Sequence, residues 1–238
     1  RRWAPDLVHL HWINNGFVGI TDLAGFRGPI VWTFHDSWPL TGGCHYHETC
    51  RRFTERCGAC PWLNAYRESD LSRAVWRLKQ WAWRRANLTG IAPSRWMAER
   101  AQASALWAAR PVVVIPNIIP LDGFAPQPRA EARAQVGWPV AQPMILYIAM
   151  NALTDRNKGF DLLQRALAEP WPVRSAATHA VLAVAGADAQ SRLPALGLPA
   201  RNIGPIHDDA RLAAWLAAAD VVVVPSRVEN LPNIVGEA

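Results

Sequence analysis

Glu229 and Glu237 are two acidic side chains eight positions apart in the run Pro225-Ser226-Arg227-Val228-Glu229-Asn230-Leu231-Pro232-Asn233-Ile234-Val235-Gly236-Glu237-Ala238. The run follows an apolar stretch, 221–224, so the first glutamate falls in a strand-to-helix loop and the second on the helix that the loop opens. In an open α/β sheet, ligands gather at the carboxyl ends of strands, where loop amides and a helix N-terminus converge. Carboxylates placed there accept hydrogen bonds from hydroxyls such as those of a sugar or a ribose, and they repel a phosphate unless a cation stands between. Lys158 is the candidate cation. It lies in Asp155-Arg156-Asn157-Lys158-Gly159-Phe160-Asp161, just after another apolar run, where Gly159 permits close backbone approach. Only one other lysine, Lys79, occurs in the chain. A carboxylate pair or a Lys-Gly alone is a weak signal, and their joint placement after two strand ends is what gives them weight.

All four cysteines fall within seventeen residues, as Cys44, Cys50, Cys57 and Cys60. The two-residue gap in Cys57-Gly58-Ala59-Cys60 lets both thiolates meet one metal ion, and the preceding pair completes a four-coordinate set. The gap in the first pair is looser, so His45 or His47 is an alternative fourth ligand, and two disulfides are the rival arrangement. Among the histidines, His35 ends an apolar run, where it is either a functional group or a hydrogen-bonded core residue. His9 and His11 alternate on the first strand and so share one face of it.

Short apolar runs punctuated by Pro and Gly alternate with helix-period segments, the pattern of parallel strands joined by crossover helices. The expected strands are 7–10, 30–34, 89–92, 112–115, 144–149, 180–185 and 221–224, and the expected helices are 71–85, 94–104, 160–168 and 210–218. Ser94 reads as an N-cap, as does Asp208 or Asp209. Pro120, Pro126, Pro128 and Pro139 interrupt the pattern, which predicts residues 1–120 as one domain with a Cys-rich insert at 41–63, a linker at 121–142 and a second domain at 143–238. The Arg1 start and the uncapped helix at 233–238 predict a piece of a longer chain, cut at both ends.

The 238 residues are half apolar and 18% charged, which excludes a disordered chain, and no apolar stretch is long enough to span a bilayer. The net charge of +6 comes almost wholly from arginine. Arg73, Arg77, Lys79, Arg84 and Arg85 interleave with Leu71, Val75, Trp76, Leu78, Trp81 and Trp83, a pattern that suits either an anionic membrane surface or, as the favoured reading, a helix with its apolar stripe on the core. The cysteines, the charge and thirteen tryptophans also fit a zinc-stabilised nucleic-acid-binding module, but that reading leaves Glu229 and Glu237 without a role.

The stretch from Ala219-Asp220 through Pro225-Ser226 to Glu229 and Glu237, with Lys158-Gly159 and Ile115-Pro116-Asn117 upstream, resembles family 4 of the retaining glycosyltransferases. Val31-Trp32-Thr33-Phe34-His35-Asp36-Ser37-Trp38-Pro39-Leu40-Thr41-Gly42-Gly43-Cys44-His45-Tyr46 is similar to that family's colanic-acid and exopolysaccharide branch. The resemblance implies an α/β fold of two Rossmann-like domains (GT-B), the N-terminal one incomplete and the C-terminal one truncated. It implies hexose transfer from a nucleotide-diphosphate sugar to a saccharide or lipid-linked oligosaccharide, in the cytoplasm or peripherally at the inner face of its membrane, with no catalytic metal and no nucleic-acid partner. Lys158 would hold the diphosphate, Glu229 with Asn230 and Leu231 the transferred sugar, and Glu237 the ribose, while the base would meet backbone near 203–207. His35 would reach the donor sugar. Many relatives carry an arginine just after the strand where this chain has Asn151 and Ala152, which leaves Arg156 as the nearby substitute. Nucleotide sugars are cytosolic, where thiols stay reduced, so the resemblance favours a structural zinc over disulfides. A catalytically inactive binding protein of the same fold is the remaining alternative.

Overall fold

The computed structural model describes residues 5–14, 16–120, 122–169 and 179–238. The Arg1 start and the first position of the expected linker lie outside the described residues. The chain divides into two units, Arg1–Asn117 and Ile118–Ala238.

The first unit is built on four parallel strands, β1 (Val8–Leu10), β2 (Ile30–Thr33), β3 (Leu88–Ala92) and β4 (Val112–Val114), in the order β1-β2-β3-β4. Tryptophans fill its core. The Trp32 ring meets Trp83 edge-on at 5.3 Å, and Phe34 meets Trp107 at 4.6 Å. Gly90 on β3 makes room for that pair, since a Cβ there would stand 2.5 Å from Phe34. A buried indole N–H favours an acceptor, and three of the core tryptophans have one. Trp32 donates to the carbonyl of His11, Trp83 to Ile20 and Trp107 to Pro39, so the aromatic core pins the loops that leave the sheet.

Helices α1 (Leu71–Trp83) and α2 (Arg95–Ala103) begin at Asp70 and Ser94, whose side chains accept from the amides of Arg73 and Met97. Helix α1 buries Trp76, Ala82 and Trp83 against the core, as expected, and it also buries Lys79 completely. The Lys79 ammonium donates to the carbonyls of Trp38 and Thr41 and lies 3.3 Å from the centroid of the Trp38 ring. Burial drives its pKa well below the ordinary lysine value. Leu71, Leu78 and Trp81 form an outward apolar face instead.

The second unit is a parallel sheet in the order β7-β6-β5-β8, formed by β5 (Met144–Ile148), β6 (Val181–Ala185), β7 (Ala200–Gly204) and β8 (Val221–Val223). Helices α4 (Phe160–Ala168) and α5 (Asp209–Ala218) belong to separate apolar clusters, and the short α6 (Asn233–Glu237) follows β8. Asp208 caps α5 by accepting from the Arg211 amide. Strand β7 was not among the expected strands because Ala-Arg-Asn-Ile-Gly offers one large apolar side chain and gains its place from pairing with β6.

The expected linker at 121–142 needs correction. It contains α3 (Arg129–Val136), which packs with α5. Ala132 and Trp138 are buried in the second unit's core, and the Trp138 ring meets Trp215 edge-on at 6.1 Å. Arg133 donates to the carbonyls of Ala218 and Val140 and pairs with Asp220, whose carboxylate also accepts from Arg129 and from the Met144 amide. The prolines bound this helix rather than mark an open tether, because Pro128 occupies its N-cap, where no amide N–H is required.

Candidate functional site

The order β7-β6-β5-β8 makes the junction of β5 and β8 a topological switch point: successive crossovers run outward from β5 to β6 and β7, then back to its other side. Loops leaving two such strands diverge and open a crevice at their carboxyl ends. Both charged motifs sit on these loops. After β5, a turn of 3-10 helix at Arg156–Lys158 is capped by Asp155, which accepts from the Asn157 amide at 2.8 Å. The Tyr147 hydroxyl donates from beneath to the carbonyls of Ala152 and Lys158, and burial pushes its pKa up to about 12, so it remains a donor.

The turn is fastened directly to the loop after β8. Asn157 donates to the Val228 carbonyl and accepts from the Val228 amide, while the Arg227 amide donates to the Asn157 carbonyl. The Arg227 guanidinium spans the Arg156 carbonyl and both oxygens of Asp161, and holds the Asp161 carboxyl below its ordinary value. Gly159 has φ +71°, and a Cβ there would lie 2.1 Å from the Pro225 carbonyl oxygen. Only glycine allows the two loops so close.

This architecture brings Lys158 and Glu229 together. Lys158 Nζ donates to Glu229 Oε1 at 2.7 Å, and both side chains retain about a fifth of their exposure. Asn230 and Leu231 follow, partly buried. Glu237 stands on α6, also partly buried, and its pKa is raised first by burial and then by Asp209. Arg156 is exposed on the same turn. Sequence reasoning missed Asn157 and Arg227, the residues that join the loops; their only signal was adjacency to Lys158 and Glu229.

In the first unit, His35 follows β2 and its Nε2 lies 2.9 Å from His11 Nδ1. His9, on the same face as His11 with ring centroids 4.3 Å apart, bonds to the Thr33 hydroxyl. The His35 pKa is lowered, first by burial and then by His11, so the imidazole stays neutral at ordinary pH. The neighbouring Asp36 accepts from the Trp12 indole, from His45 at 2.6 Å and from the Trp38 amide. Trp12, Asp36, Cys44, His45, Tyr46 and Trp62 line a cavity of about 510 Å³. His11 and Asp36 carried no assigned function in the sequence, and their signal was proximity to His35 and the spacing His9-Leu10-His11; His45, an alternative metal ligand in the sequence, is bonded instead to Asp36.

Cys44, Cys50, Cys57 and Cys60 line one cavity in this unit, and all four are free thiols. The Gly42 amide donates to Cys57 Sγ at 3.1 Å. Burial raises the Cys44 pKa and pushes that of Cys57 up to about 11. Among the described residues, no three His, Cys, Asp or Glu side chains already stand in a metal-holding set.

A Rossmann-like unit with a switch-point lysine and glutamate, preceded by a second parallel-sheet unit, defines a protein of the two-domain GT-B class. Two solved structures share this fold over 98% of the chain: a sucrose-phosphate synthase from Thermosynechococcus elongatus, with TM-score 0.66 and 24% identity, and Anabaena HepE in complex with UDP-glucose, with TM-score 0.58 and 18% identity. The chain covers 53% and 57% of those two structures. The Glycosyltransferase Family 4 profile matches residues 1–122, and the Glycosyl transferases group 1 profile matches residues 142–238. The chain belongs to glycosyltransferase family 4. It is 34% identical over 157 residues to the D-inositol 3-phosphate glycosyltransferase of Kineococcus radiotolerans, covering 59% of this chain and 35% of that protein. It is 28% identical over 83 residues to Escherichia coli (strain K12) WcaC, provisionally named a colanic acid biosynthesis glycosyl transferase, covering 31% of this chain and 20% of that one. The chain thus spans well under half of these curated relatives in the matched regions. No helix among the described residues is long and apolar enough to cross a membrane.

Proposed function

We propose that the protein of which this chain is part transfers a hexose, with retention, from a nucleotide-diphosphate sugar to a saccharide or lipid-linked oligosaccharide in exopolysaccharide assembly. The observation that carries the reading is the Lys158–Glu229 ion pair at the junction of β5 and β8. On donor binding, phosphate oxygens replace Glu229 at the Lys158 ammonium, and the freed carboxylate accepts from hydroxyls of the sugar. Asn230 and Leu231 present backbone groups beside it, and Glu237 takes the ribose.

As the bond from the anomeric carbon to the leaving phosphate breaks, negative charge grows on the diphosphate. Lys158, assisted by Arg156, stabilises that charge in a partly desolvated crevice, where fixed cations act most strongly. The departing phosphate oxygen accepts the proton of the acceptor hydroxyl, so the reaction needs neither a dedicated base nor a catalytic metal. We assign neutral His35 to the sugar being transferred, as a hydrogen-bonding group whose low pKa keeps it uncharged.

For the acceptor, the support is the 510 Å³ cavity, in which half-exposed Trp12 and Trp62 flank the Asp36–His45 pair. Indole faces suit the C–H faces of a sugar ring, and the carboxylate and imidazole suit its hydroxyls. Leu71, Leu78 and Trp81 lie on one exposed face of α1 beside Arg77, Arg84 and Arg85, which supports peripheral contact with an anionic membrane bearing the acceptor lipid. Three arginines are engaged internally, Arg73 with Glu68, Arg110 with three carbonyls and Arg133 with Asp220, and a nucleic-acid-binding reading leaves the Lys158–Glu229 pair without a role.

The test is a thermal-shift and calorimetric screen of the full-length protein against UDP- and GDP-sugars, with no divalent cation added. One donor should stabilise the protein by mass action. Equal affinity in Lys158→Ala and Glu237→Ala variants would overturn the assignment.

A further inference from the structure

We propose that Cys44, Cys50, Cys57 and Cys60 hold one zinc-class divalent ion, a structural site that braces the inner side of the aromatic cavity wall. Four thiols from a segment of seventeen residues line a single cavity of about 20 Å³, close to the room one water-sized body needs. A soft, four-thiol donor set suits zinc.

Three local features fit an ion there. The Cys57-Gly58-Ala59-Cys60 turn is bent by Gly58 at φ +145° and Ala59 at φ +43°, which folds two thiols toward the same space. Cβ atoms added at Gly42 or Gly58, both in the cavity wall, would stand 2.3 Å and 2.5 Å from the carbonyl oxygens of Ser72 and Glu68, so both positions are kept bare. The Gly42 N–H to Cys57 Sγ bond is the kind that steadies a metal-bound thiolate.

The cavity also carries an unmet acceptor. His47 is 4% exposed and lines the same wall; its Nδ1 bonds to the Glu48 carbonyl, which leaves Nε2 with a lone pair and no protein partner. A four-thiolate zinc centre carries two net negative charges, and the buried Lys79 ammonium, bonded to the carbonyl of cavity residue Thr41, offsets part of that charge. Among the described residues the thiols do not stand converged as a ligand set, so the proposal requires them to turn inward when the ion binds.

The consequence lies on the outer face. Cys44 and Trp62 line both the thiol cavity and the 510 Å³ cavity that also contains Trp12, Asp36 and His45. An ion bound to the cysteines would therefore set the position of Trp62 without entering any reaction.

The full-length protein, purified without added metal, should contain one zinc per chain by mass spectrometry of the metal. Cobalt(II) exchange should give the intense thiolate charge-transfer and tetrahedral ligand-field bands of four sulfur ligands. Cys57→Ser with Cys60→Ser should abolish cobalt binding, Cys44→Ser should weaken it at least tenfold, and His47→Gln should keep it. A second measurement on the wild-type chain does not depend on the double variant folding: chelation should raise the count of alkylatable cysteines from none to four and change the tryptophan fluorescence by a component absent from Trp62→Phe, both reversed by zinc. Zinc below half an equivalent, two disulfides in the native protein, or full cobalt affinity in Cys44→Ser would overturn the proposal.

Discussion

Asn157 and Val228 bond to each other twice: the side-chain amide donates to the Val228 carbonyl at 2.8 Å, and the Val228 amide returns a bond to Asn157 Oδ1 at 3.1 Å. A side chain here does what a neighbouring strand would do, and it sets the spacing of the loops that carry Lys158 and Glu229. Asn157→Ala should cost about 1–3 kcal/mol, since it strands backbone groups in a partly buried place. The same variant should weaken nucleotide-sugar binding several-fold in calorimetry, although Asn157 is given no ligand contact. Unchanged affinity would separate the loop fastening from the binding site.

Gly159 and Gly137 provide a matched comparison. Both have positive φ, +71° and +67°, but a Cβ at Gly159 would meet the Pro225 carbonyl at 2.1 Å, while one at Gly137 would meet nothing within 4 Å. Gly137→Ala should cost about 1–2 kcal/mol in urea unfolding, the penalty of the left-handed conformation alone. Gly159→Ala should cost clearly more and should also reduce donor binding, because the clash pushes the two loops apart.

The histidine group makes a pH prediction. Burial and His11 lower the His35 pKa below 6.5, so the unfolded chain takes up its proton first as pH falls. The stability tied to neutral His35 is therefore fully present above 6.5 and is lost as pH drops through the folded value. Imidazole resonances followed by NMR should show His35 titrating below 6.5, and His11→Ala should move that titration upward. Downward movement would refute the coupling.

Much of the fold is legible because parallel strands buried on both faces read as apolar runs, such as Met144-Ile145-Leu146-Tyr147-Ile148. Strand β7 and helix α3 are not, because each is held by partners distant in sequence: β7 by pairing with β6, α3 through Arg133 and Asp220. The site shows the same division. Lys158 and Glu229 stand out as charged residues in loops after strands and Glu237 on the helix that follows, whereas Asn157, Arg227 and the pairing of His11 with His35 depend on contacts between separate segments.

The outward face of α1 can be checked with vesicles. Leu71, Leu78 and Trp81 are 66%, 40% and 59% exposed, so Leu78→Glu with Trp81→Glu should leave the melting temperature nearly unchanged. Flotation with anionic vesicles should fall at least tenfold, since each apolar anchor and each nearby cation contributes about 1 kcal/mol or more at such a surface. Flotation equal to wild type would remove the helix from any role in membrane contact.

Arg133 and Asp220 also say where nature or an engineer can splice this fold. A chimaera joined at residue 143 would separate Asp220 from Arg129 and Arg133, and Trp215 from Trp138, contacts that this chain makes across the joint. Joined at 118, the same half carries its own fastening with it. Exchange of donor specificity between relatives should therefore succeed when the crossover precedes the Pro-rich stretch and fail when it follows.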